Sequence, residues 1–165
     1  MDMERRTRRQ IGWMLAASFL LLQAVPAEQP TAGHAAGEPI EQRLVVPHDV
    51  GKLFARACAN CHSDRTAYPW YARVAPVSWM VKREVHQARE AMNLSNWSQT
   101  SGESAGREMG TLMSACASLQ AGIMPPPAYR TMHPEARLTR QEIADFCAWT
   151  STVTRELRQE ISSAR

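Results

Sequence analysis

The sequence predicts an all-α fold. Apolar residues recur at helical spacing in four segments between Asp49 and Leu157, and no segment alternates with the period of a strand. A helix-start signature also stands at Thr139–Glu142. At 165 residues the chain fits one domain, expected over residues 47–160.

Two segments of different character precede that domain. Residues 1–27 read as a secretory signal peptide: Arg5, Arg6, Arg8 and Arg9 lead into an apolar run from Ile11 to Leu22. Val25-Pro26-Ala27 then places small residues where a signal peptidase reads. The run is short of the roughly 20 residues that cross a bilayer, so a cleaved, periplasmic product is expected. An uncleaved segment anchoring the protein to the inner membrane is the alternative. Residues 28–46, rich in Pro, Ala, Gly and Glu, are expected to be a flexible linker.

The first expected helix covers Asp49 to Ala57, with Val50, Leu53, Phe54 and Ala57 on one face and Asp49 as a good N-cap. The second runs from Pro76, favourable in a first turn, to Met92. Its stripe is Val77, Met80, Val81, Val85, Ala88 and Met92. A third spans Glu103 to Gln120, with Met109, Leu112, Met113, Cys116 and Leu119 aligned and Gly122 as its stop. The fourth starts at the capping box Thr139-Arg140-Gln141-Glu142 and carries Ile143, Phe146, Cys147, Val153 and Leu157. Four narrow stripes bury little by themselves, and a large apolar cofactor would complete such a core.

The net charge is +3, but the signal segment holds four Arg against Asp2 and Glu4. The rest of the chain is nearly balanced, with 15 basic and 14 acidic residues, which argues against a nucleic-acid partner.

The chemistry-bearing motif is Cys58-Ala59-Asn60-Cys61-His62. C-x-x-C-H is the attachment signature of haem c. Two thiols on one short turn can each add S–H across a vinyl group at one porphyrin edge, while the next residue carries its imidazole to the iron. A zinc site would want a second closely spaced ligand pair, and Cys116 and Cys147 lie far apart. A thioredoxin-like motif would need a βαβ context, which is missing. One covalently bound haem c per chain is therefore expected, on Cys58, Cys61 and His62.

Electron-transfer haems usually take Met or His as second ligand. Met124 is the first choice, because Gly122-Ile123-Met124-Pro125-Pro126-Pro127 holds it on a backbone stiffened by successive prolines. His86 and His133 are the other candidates, His86 reading better as a solvated edge and His133 as a residue that caps or packs near the last helix. Tyr68, Trp70 and Tyr71 follow the attachment turn closely and suit the porphyrin edge, with ordinary core packing as the other reading. For Arg73 and Arg89, surface solvation is the default over a propionate contact. Cys116 and Cys147 sit on the apolar faces of the third and fourth helices. In an oxidising compartment they would bridge them; two buried thiols acting as small hydrophobes are the alternative.

Gly51-Lys52-Leu53-Phe54 ahead of Cys58-(x)2-Cys61-His62, with a later Met-Pro, resembles class I cytochromes c. More specifically, the chain resembles the haem-binding domain family of cytochrome c-like bacterial proteins. The residues concerned are Cys61–Thr66, Tyr68–Tyr71, Ala75–Trp79, Asn93–Trp97, Met124-Pro125-Pro126 with Tyr129, and His133–Ala136 with Leu138. They cover about Val50 to Trp149. The resemblance implies a cytochrome c-like helical domain around one covalently attached haem, with Met124 as distal ligand. Asp64 stands where that family often has Asn.

The function expected is single-electron transfer, as an electron carrier or electron-transfer subunit rather than an enzyme, serving a redox partner protein or a membrane respiratory complex. A haem-based ligand sensor or haem enzyme with a displaceable sixth ligand is the alternative.

Overall fold

The computed structural model describes residues 2–25, 37–97 and 105–163. Its α-helices are α1 (Asp2–Gln23), α2 (Ile40–Arg43), α3 (His48–Leu53), α4 (Ala59–His62), α5 (Val77–Ala91), α6 (Ala105–Gln120), α7 (Pro127–Met132) and α8 (Arg140–Ser163). A π-helical turn joins α3 to α4 at Phe54–Cys58, and 3-10 turns lie at Trp70–Arg73 and Pro134–Ala136. No strand occurs among the described residues, so the fold is all-α. The first expected helix is in fact one helical run from His48 to His62. The second matches α5. The third is α6, with Glu103 and Ser104 outside the described residues. The fourth, α8, continues to Ser163, past the expected domain end at 160.

Two compact units divide the chain. The first comprises Met1–Thr31 and Tyr68–Glu84. Within it the Gln23 amide grips the backbone of Ala75 at two points: its Oε1 accepts the Ala75 N–H at 2.9 Å and its Nε2 donates to the Ala75 carbonyl at 3.3 Å. The Trp79 indole donates to the Val25 carbonyl at 3.4 Å. Pro26 and Ala27 of the expected cleavage site lie outside the described residues, as do residues 28–36 of the expected linker. No helix among the described residues is long and apolar enough to cross a membrane.

The second unit comprises Ala32–Ala67 and Val85–Arg165. Its core gathers Val50, Leu53 and Phe54 with Met92, Leu94 and Trp97, and with Leu112, Leu119, Phe146, Trp149, Val153 and Leu157. Helices α6 and α8 form the main packing pair. Cys116 on α6 and Cys147 on α8 are joined as a disulfide with Cα atoms 5.3 Å apart. Thr139 and Glu142 make the reciprocal bonds of a capping box: Glu142 N–H to Thr139 Oγ1 at 3.2 Å and Thr139 N–H to Glu142 Oε2 at 2.7 Å.

The expected linker ends earlier than Val46. Ile40 is 0% exposed and Leu44 is buried in the same core. The Ile40 N–H donates to the Leu94 carbonyl at 3.0 Å, and the Trp149 indole reaches the Val45 carbonyl at 3.0 Å. Arg43 bonds Glu108 on α6 and Glu160 on α8, each at 3.0 Å, and the Glu108 bond above all raises its pKa. Burying Ile40 is worth about 1.5–3 kcal/mol, enough to fix a short segment that shows no hydrophobic period of its own.

Candidate functional site

Two side chains, Phe54 and Arg56, set the Cys58–His62 turn in place. The Phe54 ring meets Phe146 and Trp149 edge-on, each with centroids 5.8 Å apart. Arg56 pairs with Glu142 at the start of α8 and donates to the Glu135 carbonyl at 2.7 Å. In the π-helical turn the Ala59 N–H bonds the Phe54 carbonyl, one residue beyond the α register, a feature frequent at functional sites. Cys58, Cys61 and His62 follow on this single run, all half-buried. Burial pushes the Cys58 thiol up to about 12, with Cys61 adding to the shift and Arg56 opposing it. Cys58 is thus a thiol, not a thiolate, at neutral pH.

His62 is held at both its ring and its backbone by one segment. Its Nδ1 lies 3.0 Å from the Met92 carbonyl oxygen. A carbonyl only accepts, so Nδ1 carries the proton and Nε2 keeps its lone pair for a metal. Burial lowers the imidazole pKa, opposed by the Met92 and Ala88 carbonyls, and the ring is neutral at pH 7. The His62 carbonyl in turn accepts the Leu94 N–H at 2.7 Å. Beyond it, Asn93 Nδ2 donates to Asp64 Oδ1 at 3.1 Å, and Ser95 Oγ accepts the Asp64 N–H at 3.1 Å. Arg89 donates to the Ser63 carbonyl and to Thr66 Oγ1, each at 3.0 Å, and stands 3.9 Å from Asp64. Its side chain is only 11% exposed, which corrects the solvated reading of this arginine. Residues 92–95 and Arg89 were not legible as a clamp in the sequence. The family-like run Asn93–Trp97 marked the segment, but carried no hint of what it touched.

The Met124 loop begins where α6 ends. Gly122 has φ +68°, its N–H bonds the Leu119 carbonyl at 3.1 Å, and the Ile123 N–H bonds Ser118 at 3.0 Å. This is a Schellman stop, the role expected of Gly122. The Met124 N–H also reaches the Ser118 carbonyl, at 3.2 Å. The loop is tied to the attachment turn through Tyr129 on α7, whose hydroxyl accepts from Asn60 Nδ2 at 3.1 Å. Asn60 lies between the two motif cysteines, and its Oδ1 accepts the Ala67 N–H at 2.8 Å. Met124 itself is 37% exposed.

His133 stacks on Tyr129 of α7 with centroids 4.2 Å apart and bonds Glu135 through Nδ1 at 3.0 Å. His86 faces solvent 3.4 Å from Glu90. In the first unit, Trp70 and Tyr71 lie on the turn Trp70–Arg73, their rings T-shaped at 5.9 Å, and Trp70 is 75% exposed. Tyr68 precedes that turn with its hydroxyl buried. Between α7 and Leu138 lies an open depression of about 330 Å³ lined by Pro127, Arg130, Thr131, Arg137 and Leu138. Arg130 and Arg137 donate there to the carbonyls of Gly122 and Arg130.

The donor set on the turn fits haem: two thiols and one neutral imidazole with Nε2 left for iron. It does not fit a zinc cluster, since no group of three or more His, Cys, Asp or Glu placed to hold a metal ion occurs among the described residues. Comparison with known proteins agrees with the haem reading. A family model described as a haem-binding domain matches residues 17–152. No curated protein and no solved structure matches the chain. With most of the sequence inside that match, attachment turn and Met124 loop included, the chain belongs to the haem-binding domain family.

Proposed function

We propose that the protein is an exported single-haem c-type cytochrome that carries single electrons, with His62 and Met124 as iron ligands. Haem, when bound, supplies reversible one-electron chemistry at its iron. The chain's own residues do the rest. Cys58 and Cys61 tether the group through thioethers, and the Met92 carbonyl orients the His62 ring and fixes its tautomer. Asn60 couples the attachment turn to α7 and thereby to the loop carrying Met124. The His62–Met92 bond is the observation that carries the reading, because it commits Nδ1 and leaves Nε2 as a ligand. A Met/His pair raises the reduction potential relative to bis-His, which suits a carrier rather than a catalyst. Export is supported by the basic and apolar character of α1 and by Cys116–Cys147, a pair suited to an oxidising compartment. The physiological partner is then a redox protein or a membrane respiratory complex.

The exposure of Met124 favours one second reading, a haem-based ligand sensor or haem enzyme in which an incoming ligand displaces the sulfur. Absorption spectra of the exported protein in both redox states, with acid–organic extraction, test the haem itself: the colour should stay with the protein. Carbon monoxide then separates the two readings. Ferrous protein should react poorly, and Met124→Ala should react readily. A variant with unchanged spectrum and CO behaviour removes Met124 as ligand.

A further inference from the structure

We propose that α1 is not removed on export but stays in the mature protein, inserted in an anionic lipid bilayer and docked through Gln23 onto the segment around Ala75. This rests on the export reading above, but reverses the expectation of cleavage after Ala27.

Three independent observations carry it. The first is docking. A segment destined for removal needs no partner in the folded protein, yet Gln23 satisfies both the N–H and the carbonyl of Ala75, at 2.9 and 3.3 Å. Val25 adds a second contact by accepting from the Trp79 indole at 3.4 Å. Cleavage after Ala27 would discard Gln23 and Val25 and leave the Ala75 backbone and the Trp79 indole without them.

The second is the extent of the family. Its model begins at residue 17, inside the apolar run of α1, so the last turns of this helix belong to the shared domain pattern. Expectation from the motif residues alone had placed that start near Val50.

The third is the surface of α1. Ile11, Trp13, Met14, Leu15, Phe19 and Leu20 are all exposed, and they point around the whole helix rather than to one side. A helix apolar all round belongs in a protein core or in lipid. Arg5, Arg6, Arg8 and Arg9 adjoin this surface, which selects lipid with anionic headgroups over a second apolar protein face. Ile11–Leu22 covers about 18 Å at 1.5 Å per residue, less than a hydrocarbon core of about 30 Å. The helix therefore enters the bilayer without crossing it, in keeping with the lack of a membrane-crossing helix among the described residues, and its arginines stay at the headgroups.

The test is to express the full chain, tagged at its C-terminus, in a bacterium that matures c-type haem. Membrane and soluble fractions are then compared by intact mass and by haem staining of the same bands. A haem-stained band of full-length mass in the membrane fraction, resistant to high salt and released by detergent, is expected. Hydrogen exchange on that material should show the Ala75 amide protected, and Gln23→Ala should lose this protection while staying in the membrane. A haem-stained band shortened to a start near Glu28 overturns retention yet leaves the cytochrome reading intact. Full-length protein at the membrane without haem supports retention and sinks the cytochrome reading. Release by salt alone, or soluble full-length oligomers, overturns insertion.

Discussion

Asn60 and Tyr129 meet at 3.1 Å, side-chain amide to hydroxyl, and this bond links the Cys58–His62 turn to the helix beyond the Met124 loop. Removing the hydroxyl in Tyr129→Phe leaves the ring and its stack on His133 but orphans the Asn60 donor. A loss of about 0.5–1.5 kcal/mol is expected in denaturant unfolding. A double-mutant cycle with Asn60→Ala should show the two effects to be shared rather than additive. Faster carbon monoxide binding by the ferrous Phe variant would accompany a loosened Met124 loop. Full additivity in the cycle would mean that the two residues do not interact in solution.

Gly122 is the residue in α6's stop that only glycine suits. At φ +68° a Cβ meets no neighbouring atom, so the cost of Gly122→Ala is conformational alone. About 1–2 kcal/mol is expected from the left-handed backbone. Because the Ile123 and Met124 N–H groups both end on Ser118, the same change should disturb Met124, the proposed second ligand. Thermal unfolding and the ferric spectrum read the two consequences separately. A destabilised variant with an unaltered spectrum would detach Met124 from the helix stop.

The bridge between α6 and α8 closes a loop with a sequence separation of 31, for which about 3–4 kcal/mol is expected. Replacing Cys116 and Cys147 together by Ala should lower the unfolding midpoint accordingly. Haem content should not change, because Cys58 and Cys61 take no part in that bridge. Thiol titration of unfolded, exported protein supplies the direct check, and a stability equal to the wild type would show the thiols to be reduced.

Glu142 gives the fold an acid-sensitive joint. The Thr139 N–H, first of all, holds its pKa below the usual 4.5, with the Thr139 hydroxyl and Arg56 acting in the same direction and burial against. A depressed carboxylate stabilises the folded state above its unfolded pKa and loses that contribution as pH falls through the folded value. The stability gap between wild type and Glu142→Gln should therefore be widest at neutral pH and shrink as pH falls through the usual 4.5 and below. A gap independent of pH between 7 and 3 would remove Glu142 from the acid transition.

The local signals were legible and the distant ones were not. Cys58, Cys61 and His62 share one helical turn, and Thr139 with Glu142 another, so spacing along the chain was enough to read them. Gly122 was readable for the same reason. What holds His62 in register is Met92 and Leu94, some 30 residues away, and their contributions are backbone groups that every residue possesses. No side-chain pattern can announce a carbonyl. Ile40 escaped because a four-residue helix is too short to show a stripe, and Arg89 because a buried arginine looks in sequence like a solvated one.

The Schellman stop at Gly122 has a consequence for how this architecture can change. His62 is held at ring and backbone by Met92 and Leu94, whereas the Met124 N–H rests on the Ser118 carbonyl at the end of α6. Substitutions at Gly122 and the exposed Ile123 would move Met124 while the residues that brace His62 and the buried core stayed as they are.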